Sequence, residues 1–314
     1  MYKRTIDNRW SFKGSNTKEY THCYHTYPAM MIPQIARTLI EEYIPQEGAK
    51  LILDPYMGSG TSLVEASIKG IDDINPLARL ISKVKTTHYK EKDIQYNFSV
   101  IQSYLSEYKE ELVEKKCFDN ISNYSYWYSE DSLMRLSYLS QIINNHIPKE
   151  LKDFFNTVLS EVVREVSFTR NGEFKRFRMP EEKIKTFKPD VFRLFEEKTV
   201  RNIKGLIQFN NANKDSKVGI YDFNSSICIP EEIIKPETVD MVVTSPPYGD
   251  SKTTVAYGQF SRWANEWFGF ENAKNLDCIL MGGKKQTEAS PTNESGNKVS
   301  TMCNEYIVIL EKIK

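Results

Sequence analysis

Two short clusters in this 314-residue chain have residue types and spacing that could do chemistry. The first is DPYMGSGT, in which Asp54, Pro55, Gly58, Gly60 and Thr61 stand between an apolar run at 51–53 and a helical pattern, SLVEASIK. Glycines in such a turn let a ligand approach the backbone, and the helix start offers unpaired N–H groups. A phosphate-binding loop needs a lysine before its Ser/Thr. Here Gly60 is followed by Thr61 and Ser62, which disfavours a triphosphate and favours an uncharged adenosine moiety. Taken alone, the turn also fits a purely structural role.

The second cluster is Ser245, Pro246, Pro247 and Tyr248, directly beyond the apolar run in VDMVVTS. Open α/β sheets bind ligands beyond such strand ends. Two prolines make the turn rigid, so the Ser245 hydroxyl and the Pro246 carbonyl become preset acceptors for an exocyclic amino group. Tyr248 offers a ring on which a base can stack. Between the clusters, IDDINPLARL brings Asp72 and Asp73 to the end of a short apolar step. A carboxylate there, Asp73, suits a pair of ribose hydroxyls. The alternative is a solvent-facing turn in which Asn75 and Pro76 start the next helix.

The elements that must position these residues follow from periodicity. Residues 27–44 carry Ile32, Ile35, Ala36, Leu39, Ile40 and Tyr43 at helical spacing, with Pro33 in the first turn. Strand, glycine loop and helix come next. From 93 to about 209 the pattern is mostly helical, in IQSYLSEYKEELVEK, SLMRLSYLSQIINN and LKDFFNTVLSEVVREV. Short β-type segments return in KVGIYDF and VDMVVTS.

The charge balance is even, 42 basic against 42 acidic residues, and 40% of the chain is apolar, the profile of a folded water-soluble protein. Residues 164–204 nevertheless hold twelve Lys/Arg against seven Asp/Glu, so one stretch is basic. It includes RNGEFKRFR, whose Arg170, Lys175, Arg176 and Arg178 suit DNA phosphates with Phe174 and Phe177 packing beneath. Arg262, with Tyr257 and Trp263, lies in the loop after the Ser-Pro-Pro-Tyr turn, which either closes over a base or packs on the sheet. Five scattered cysteines without a CxxC pair argue against disulfides and zinc knuckles, and there is no signal-peptide pattern or membrane-length apolar run. The expected compartment is the cytoplasm. His22, Cys23 and His25 lack a second ligand pair, so no metal is expected and the trio reads as structural or cofactor-side.

DPYMGSGT together with TSPPY resembles the amino-directed DNA methyltransferases that use S-adenosylmethionine, and within them the cytosine-N4 branch of restriction-modification systems. The similarity extends over RWSFKGSNTKEYTHCYHTYPAMMIPQIARTLI, which looks like the family's amino-terminal cofactor segment with Tyr27 and Pro28, and over DINPLARLISKVKT. It implies that Asp54, Gly58 and Gly60, within the motif that also holds Pro55 and Thr61, frame the methionine end of the cofactor. It further implies that Asp73 holds the ribose, that Asp222 lies near the adenine amino group, and that Ser245, Pro246, Pro247 and Tyr248 form the catalytic turn. The target base is then flipped from duplex DNA.

The implied fold is α/β, a Rossmann-like methyltransferase sheet with a large helical insertion. Residues 1–90 form the amino-terminal cofactor part, 91–215 the insertion facing DNA, and 216–314 the catalytic part. Two departures from the pattern shape the expectations. Only Gly70, Ile71 and Asp72 precede Asp73 after Lys69, which predicts a short second strand. Only 66 residues follow Tyr248, which predicts a sheet cut short, either truncated or completed by a second polypeptide. Adenine-N6 methylation and a non-catalytic DNA-binding remnant stand as alternatives to cytosine-N4 methylation, and a cognate endonuclease is the further partner implied.

Overall fold

The computed structural model describes residues 8–28, 30–47, 51–66, 75–114, 117–212, 218–221, 229–245, 257–271, 273–274 and 276. Among these the chain is mostly helical, with a small parallel sheet. The helices are α1 (Pro33–Tyr43), α2 (Thr61–Ala66), α3 (Pro76–Thr86), α4 (Glu91–Ser106), α5 (Tyr124–Trp127), α6 (Glu130–His146), α7 (Lys149–Glu165), α8 (Glu181–Thr186), α9 (Val191–Ala212) and α10 (Tyr257–Trp267). The strands are β1 (Ile52–Leu53) and β2 (Met241–Val242), and a 3-10 turn covers Tyr20–Tyr24.

Local chemistry sets the helix starts. Pro33 occupies the first turn of α1, where its missing N–H costs nothing. Asn75 caps α3 by accepting the Leu77 N–H, and Pro76 follows it, as the Asn-Pro pair predicts. Ser129 caps α6 by accepting from Ser132, with Glu130 and Asp131 in the first turn beside the positive end of the helix dipole.

The pattern at 101–115 reads as one helix, but α4 ends at Ser106 and a 3-10 turn follows at Glu110–Leu112. Tyr108, just past that end, packs its ring 5.1 Å from Tyr138 and 5.1 Å from Phe192, so tertiary packing overrides propensity. Val218, Gly219, Ile220 and Tyr221, from the expected KVGIYDF segment, take no strand assignment, and the rest of that segment lies outside the described residues.

Packing falls into three apolar clusters. The largest centres on α7, whose Phe154, Phe155, Val158, Leu159, Val162 and Val163 are buried among side chains of α4, α6 and α9. It also takes in Tyr24, Trp263 and Trp267, so the helices of 91–212 share a core with the amino-terminal segment and with α10. Each fully buried aromatic or aliphatic side chain there contributes about 1.5–3 kcal/mol. A second cluster joins Tyr27 to α3 and α10 through Leu77, Ala78, Ile81, Phe260 and Ala264. The third joins Ala36, Ile52, Ala66 and Val243, and so packs α1 and α2 on the sheet. No helix among the described residues is long and apolar enough to cross a membrane.

Candidate functional site

The two chemically suggestive clusters meet through the sheet. β1 and β2 are parallel, with Ile52 opposite Met241 and Leu53 opposite Val242. Parallel neighbours release their chains at the same sheet end, so Asp54 and the glycine loop emerge beside Thr244 and Ser245. The carboxylate of Asp54 is buried and accepts from the Tyr56 N–H at 3.0 Å, the Thr244 hydroxyl at 2.6 Å and the Ser62 hydroxyl. One side chain therefore pins the loop, the start of α2 and the end of β2 together.

Gly58 and Gly60 adopt φ of +50° and +75°, the left-handed region that favours glycine. A Cβ at Gly58 would meet only open space, whereas one at Gly60 would stand 2.8 Å from the Ser82 hydroxyl. Ser82 in turn donates to the Gly58 carbonyl at 2.9 Å, so α3 braces the loop from behind. The Ser59 hydroxyl is buried with no hydrogen-bond partner among the described residues. An open face at Gly58 and an unmatched hydroxyl beside it fit a ligand seated on this loop.

The amino-terminal segment is held against the same region. Tyr27 is buried, accepts a 2.8 Å hydrogen bond from the Asn75 amide, and meets the Phe260 ring edge-on at 6.0 Å. The Asn75 amide also donates to Ser261 at 2.7 Å, linking Tyr27, α3 and α10 through one side chain. Pro28 follows Tyr27 in the buried stretch.

His22 shares a 2.8 Å hydrogen bond with Oε1 of Glu65 on α2, and Arg37 of α1 donates to both oxygens of that carboxylate, at 2.7 Å to Oε2 and 3.0 Å to Oε1. Burial alone would raise the Glu65 pKa, but the bonds from His22 and Arg37 outweigh it and hold the carboxyl below its ordinary range. Burial also drives the His25 pKa down to about 4.

Glu161 of α7 accepts from Arg201 at 2.7 Å, from Lys198 at 3.1 Å and from the Thr26 N–H at 3.3 Å. Its burial opposes ionisation, yet neighbouring His25, Arg201 and Lys198 bring its pKa to about 2. Arg201 also donates to the Tyr24 carbonyl at 2.8 Å. The amino-terminal segment is thus tied to α7 and α9 as well as to the loop. His22 hydrogen-bonds Glu65, His25 hydrogen-bonds the Thr26 carbonyl and packs on Phe260, and no cluster suited to a metal occurs among the described residues.

The residues singled out from sequence fall into three groups. Asp54, Pro55, Gly58, Gly60, Thr61, Tyr27, Pro28 and Ser245 lie among the described residues and gather around the β1–β2 end and its flanking segment. Asp72, Asp73, Asp222, Pro246, Pro247 and Tyr248 lie outside the described residues. The basic candidates divide: Arg170 is exposed and Lys175 half-buried, without an ion-pair partner among the described residues. Arg176 instead lies over the Trp263 and Trp127 rings at 4.8 and 5.8 Å, and Arg178 covers Tyr126 at 4.2 Å while pairing with Glu181. Arg262 pairs with Glu266 at 2.6 Å.

Phe174 and Phe177 do not pack beneath the basic run, because both are nearly half exposed. Trp263 is fully buried against Trp127 and Tyr128 rather than on the sheet. Sequence reasoning passed over Thr244, Glu65 and Glu161, and read Asn75 only as a helix start. Thr244 precedes the serine of the turn, a position that faces the neighbouring strand end. Glu65 and Glu161 are polar residues in helical patterns, and only their burial marks them.

Comparison with known proteins supplies the family. The chain is 41% identical over 308 residues to Type II methyltransferase M.MvaI of Kocuria varians, covering 90% of this chain and 67% of that protein. It is 24% identical over 353 residues to Type II methyltransferase M.MjaII of Methanocaldococcus jannaschii, covering 85% and 65% respectively. It is also 25% identical over 263 residues to Type II methyltransferase M.BsoBI of Geobacillus stearothermophilus, covering 74% and 50%. The chain therefore spans between half and two thirds of the length of these curated relatives. No family model matches the chain. No solved structure matches it either. With a glycine loop and the Thr244-Ser245 pair leaving adjacent parallel strands, and with this degree of identity, the chain belongs to the Type II methyltransferases, a DNA-methylating family of restriction-modification systems.

Proposed function

We propose that this chain transfers the methyl group of S-adenosylmethionine to the N4 amino group of cytosine in duplex DNA, as the modification arm of a restriction-modification system. The observation that carries the reading is the junction at the strand ends, where Thr244, one residue before Ser245, donates to Asp54 of the glycine loop at 2.6 Å. It ties the expected cofactor loop to the expected catalytic turn.

S-adenosylmethionine supplies a sulfonium-bound methyl group open to in-line attack. The residues suited to hold it are Asp54, Pro55, Gly58, Gly60 and Thr61 on the loop, with Tyr27 and Pro28 from the amino-terminal segment. The open face at Gly58 and the unmatched Ser59 hydroxyl support this fit. Roles for Asp73 at the ribose and Asp222 at the adenine rest on the family resemblance. In this reading the target base leaves the stack and lies on Tyr248, and its amino group donates to the Ser245 hydroxyl and the Pro246 carbonyl. Those acceptors favour lone-pair density on the nitrogen. Transfer then needs orientation and charge handling, with no covalent enzyme intermediate. A serine at the first position of the turn favours cytosine in this family, and the sheet around it is expected to be Rossmann-like. A cognate endonuclease is the partner that the reading implies.

The test incubates the full chain with methyl-tritiated cofactor and plasmid DNA from a methylation-deficient host, digests the DNA to nucleosides and separates them. Label in N4-methyldeoxycytidine is expected. Label only in N6-methyldeoxyadenosine overturns the choice of base. No label in either, from a folded chain, overturns the enzymatic reading.

A further inference from the structure

Residues 168–179 form a hairpin that the methyl-transfer chemistry does not use. Thr169 bridges Arg178 in antiparallel fashion, the Arg170 N–H donates to the Phe177 carbonyl at 2.8 Å, and the Met179 N–H donates to the Phe168 carbonyl at 2.7 Å. Its outer part carries Phe174 and Phe177, 48% and 47% exposed, with Arg170 and Lys175 beside them. Burying neither ring in the free protein leaves apolar surface that burial elsewhere would favour. The surrounding charge selects the class of partner, since Arg170 and Lys175 flank the rings without an ion-pair partner among the described residues and only Glu173 opposes them within 170–178.

The base of the hairpin is rigidly mounted beside the candidate site. Trp263 of α10 donates to the Thr169 hydroxyl at 2.9 Å, and the Arg176 N–H donates to Gln259 at 3.3 Å. Arg164 of α7 donates to the Glu173 carbonyl at 2.5 Å and to the Phe260 carbonyl at 3.2 Å. Phe260 then meets Phe174 at 6.3 Å on one side and Tyr27 of the cofactor segment at 6.0 Å on another. Phe174 therefore stands one side chain away from the segment expected to hold the cofactor. The hairpin is mounted on α10 through Thr169, Arg176 and Phe174.

We propose that the 168–179 hairpin enters duplex DNA beside the flipped nucleotide, with Phe174 and Phe177 stacking on bases that the flip exposes and Arg170 and Lys175 holding the flanking phosphates. Flipping leaves unstacked base faces in the duplex, and apolar side chains inserted at such steps stabilise the opened form. This inference rests on the methylation reading above, and it adds the element that opens the helix.

The experiment uses the full chain, unmethylated plasmid DNA and tritiated cofactor, with anisotropy of a labelled fragment of the same plasmid as a second readout. The F174A/F177A variant, confirmed as folded by circular dichroism and as binding cofactor by calorimetry, loses about 10- to 100-fold in kcat/KM on duplex DNA. F174W/F177W restores transfer, since a larger ring still stacks. R170A/K175A lowers the salt dependence of binding by roughly two phosphate contacts.

Wild-type methylation that F174A/F177A retains within about twofold overturns the hairpin proposal and leaves the methylation reading intact. A wild-type chain that transfers no methyl group overturns the methylation reading. In that case anisotropy decides the hairpin: loss of binding in F174A/F177A keeps it as a DNA contact, and unchanged binding removes it. If F174A/F177A converts a sedimenting dimer to a monomer with DNA binding unchanged, the hairpin is a contact between copies and the proposal fails.

Discussion

Asp54 is buried, and its hydroxyl partners Ser62 and Thr244 come from α2 and from the end of β2. Thr244→Val preserves shape and removes one donor from that carboxylate. The carboxylate keeps the Tyr56 N–H and the Ser62 hydroxyl, so the loss is that of one hydrogen bond to a charged group, about 1.5–3 kcal/mol. The variant should show a lower denaturation midpoint together with weaker cofactor binding by calorimetry. Wild-type values for both would mean that the contact couples nothing.

Lys85 lies at the opposite extreme. Its ammonium is fully buried with no hydrogen-bond partner among the described residues, and burial lowers its pKa to about 8. The unfolded chain, with an ordinary value near 10.5, binds more protons between pH 8 and 10.5, so stability rises across that window. Lys85→Met keeps the apolar stem and drops the charge. It should raise stability at pH 7, by at most about 3 kcal/mol, and flatten the alkaline rise in urea titrations. An unchanged pH profile would place the buried charge elsewhere.

At the scale of elements, α9 does more than fill the core. Gly205 lets it approach the Tyr20–Tyr24 turn, and a Cβ there would overlap the Tyr20 carbonyl and the Cys23 sulfur. Gly205→Ala should therefore push the amino-terminal segment off the helix. The expected result is a loss of about 1–3 kcal/mol in stability, as for other overpacked cores, and weaker cofactor binding. Stability that falls while affinity holds would show that the segment's docking and the pocket are independent.

Much of this level was legible in sequence. The three-to-four spacing of α6 and α7, the proline in α1 and the Asn-Pro start of α3 all act locally, and local signals survive in a sequence. The end of α4 at Ser106 did not, since no glycine or proline marks it and the aromatic contacts of Tyr108 decide it. Phe174 and Phe177 were misread for the same reason: spacing alone cannot tell a ring packed under a basic run from one projecting beside it. Glu161 and Arg201 were invisible because their partnership spans two helices. Of the site, the glycine loop was legible as a motif, while the Thr244–Asp54 bond that joins it to the end of β2 depends on strand register.

For the whole molecule, the ion cluster around Glu161 holds three parts of the chain together and sets the response to acid. The His25 pKa, about 4 when folded against 6.5 when free, means that the unfolded state takes up the proton first. Its contribution is intact above pH 6.5 and declines as pH falls toward 4. The Glu161 carboxyl, at about 2 against 4.5, contributes fully above 4.5 and loses its effect as pH falls toward 2. Urea midpoints should accordingly fall from pH 6.5 downward, and His25→Gln should remove the upper part of that slope. A slope untouched by the substitution would assign it to other groups.

The parallel pairing of β1 with β2 also imposes an order on synthesis. The Thr244–Asp54 bond joins residues 190 positions apart, whereas α4, α6, α7 and α9 are built mainly from local contacts. At roughly 5–20 residues per second, the glycine loop waits about 10–40 s on the ribosome for its partner strand. During that interval the intervening helices can already condense. Arrested nascent chains that end before Met241 should resist protease across α6 and α7 yet fail to retain cofactor, and cofactor retention by such chains would show that β1 needs no partner. The pocket is then a late product of translation, closed only after the helical body it leans on.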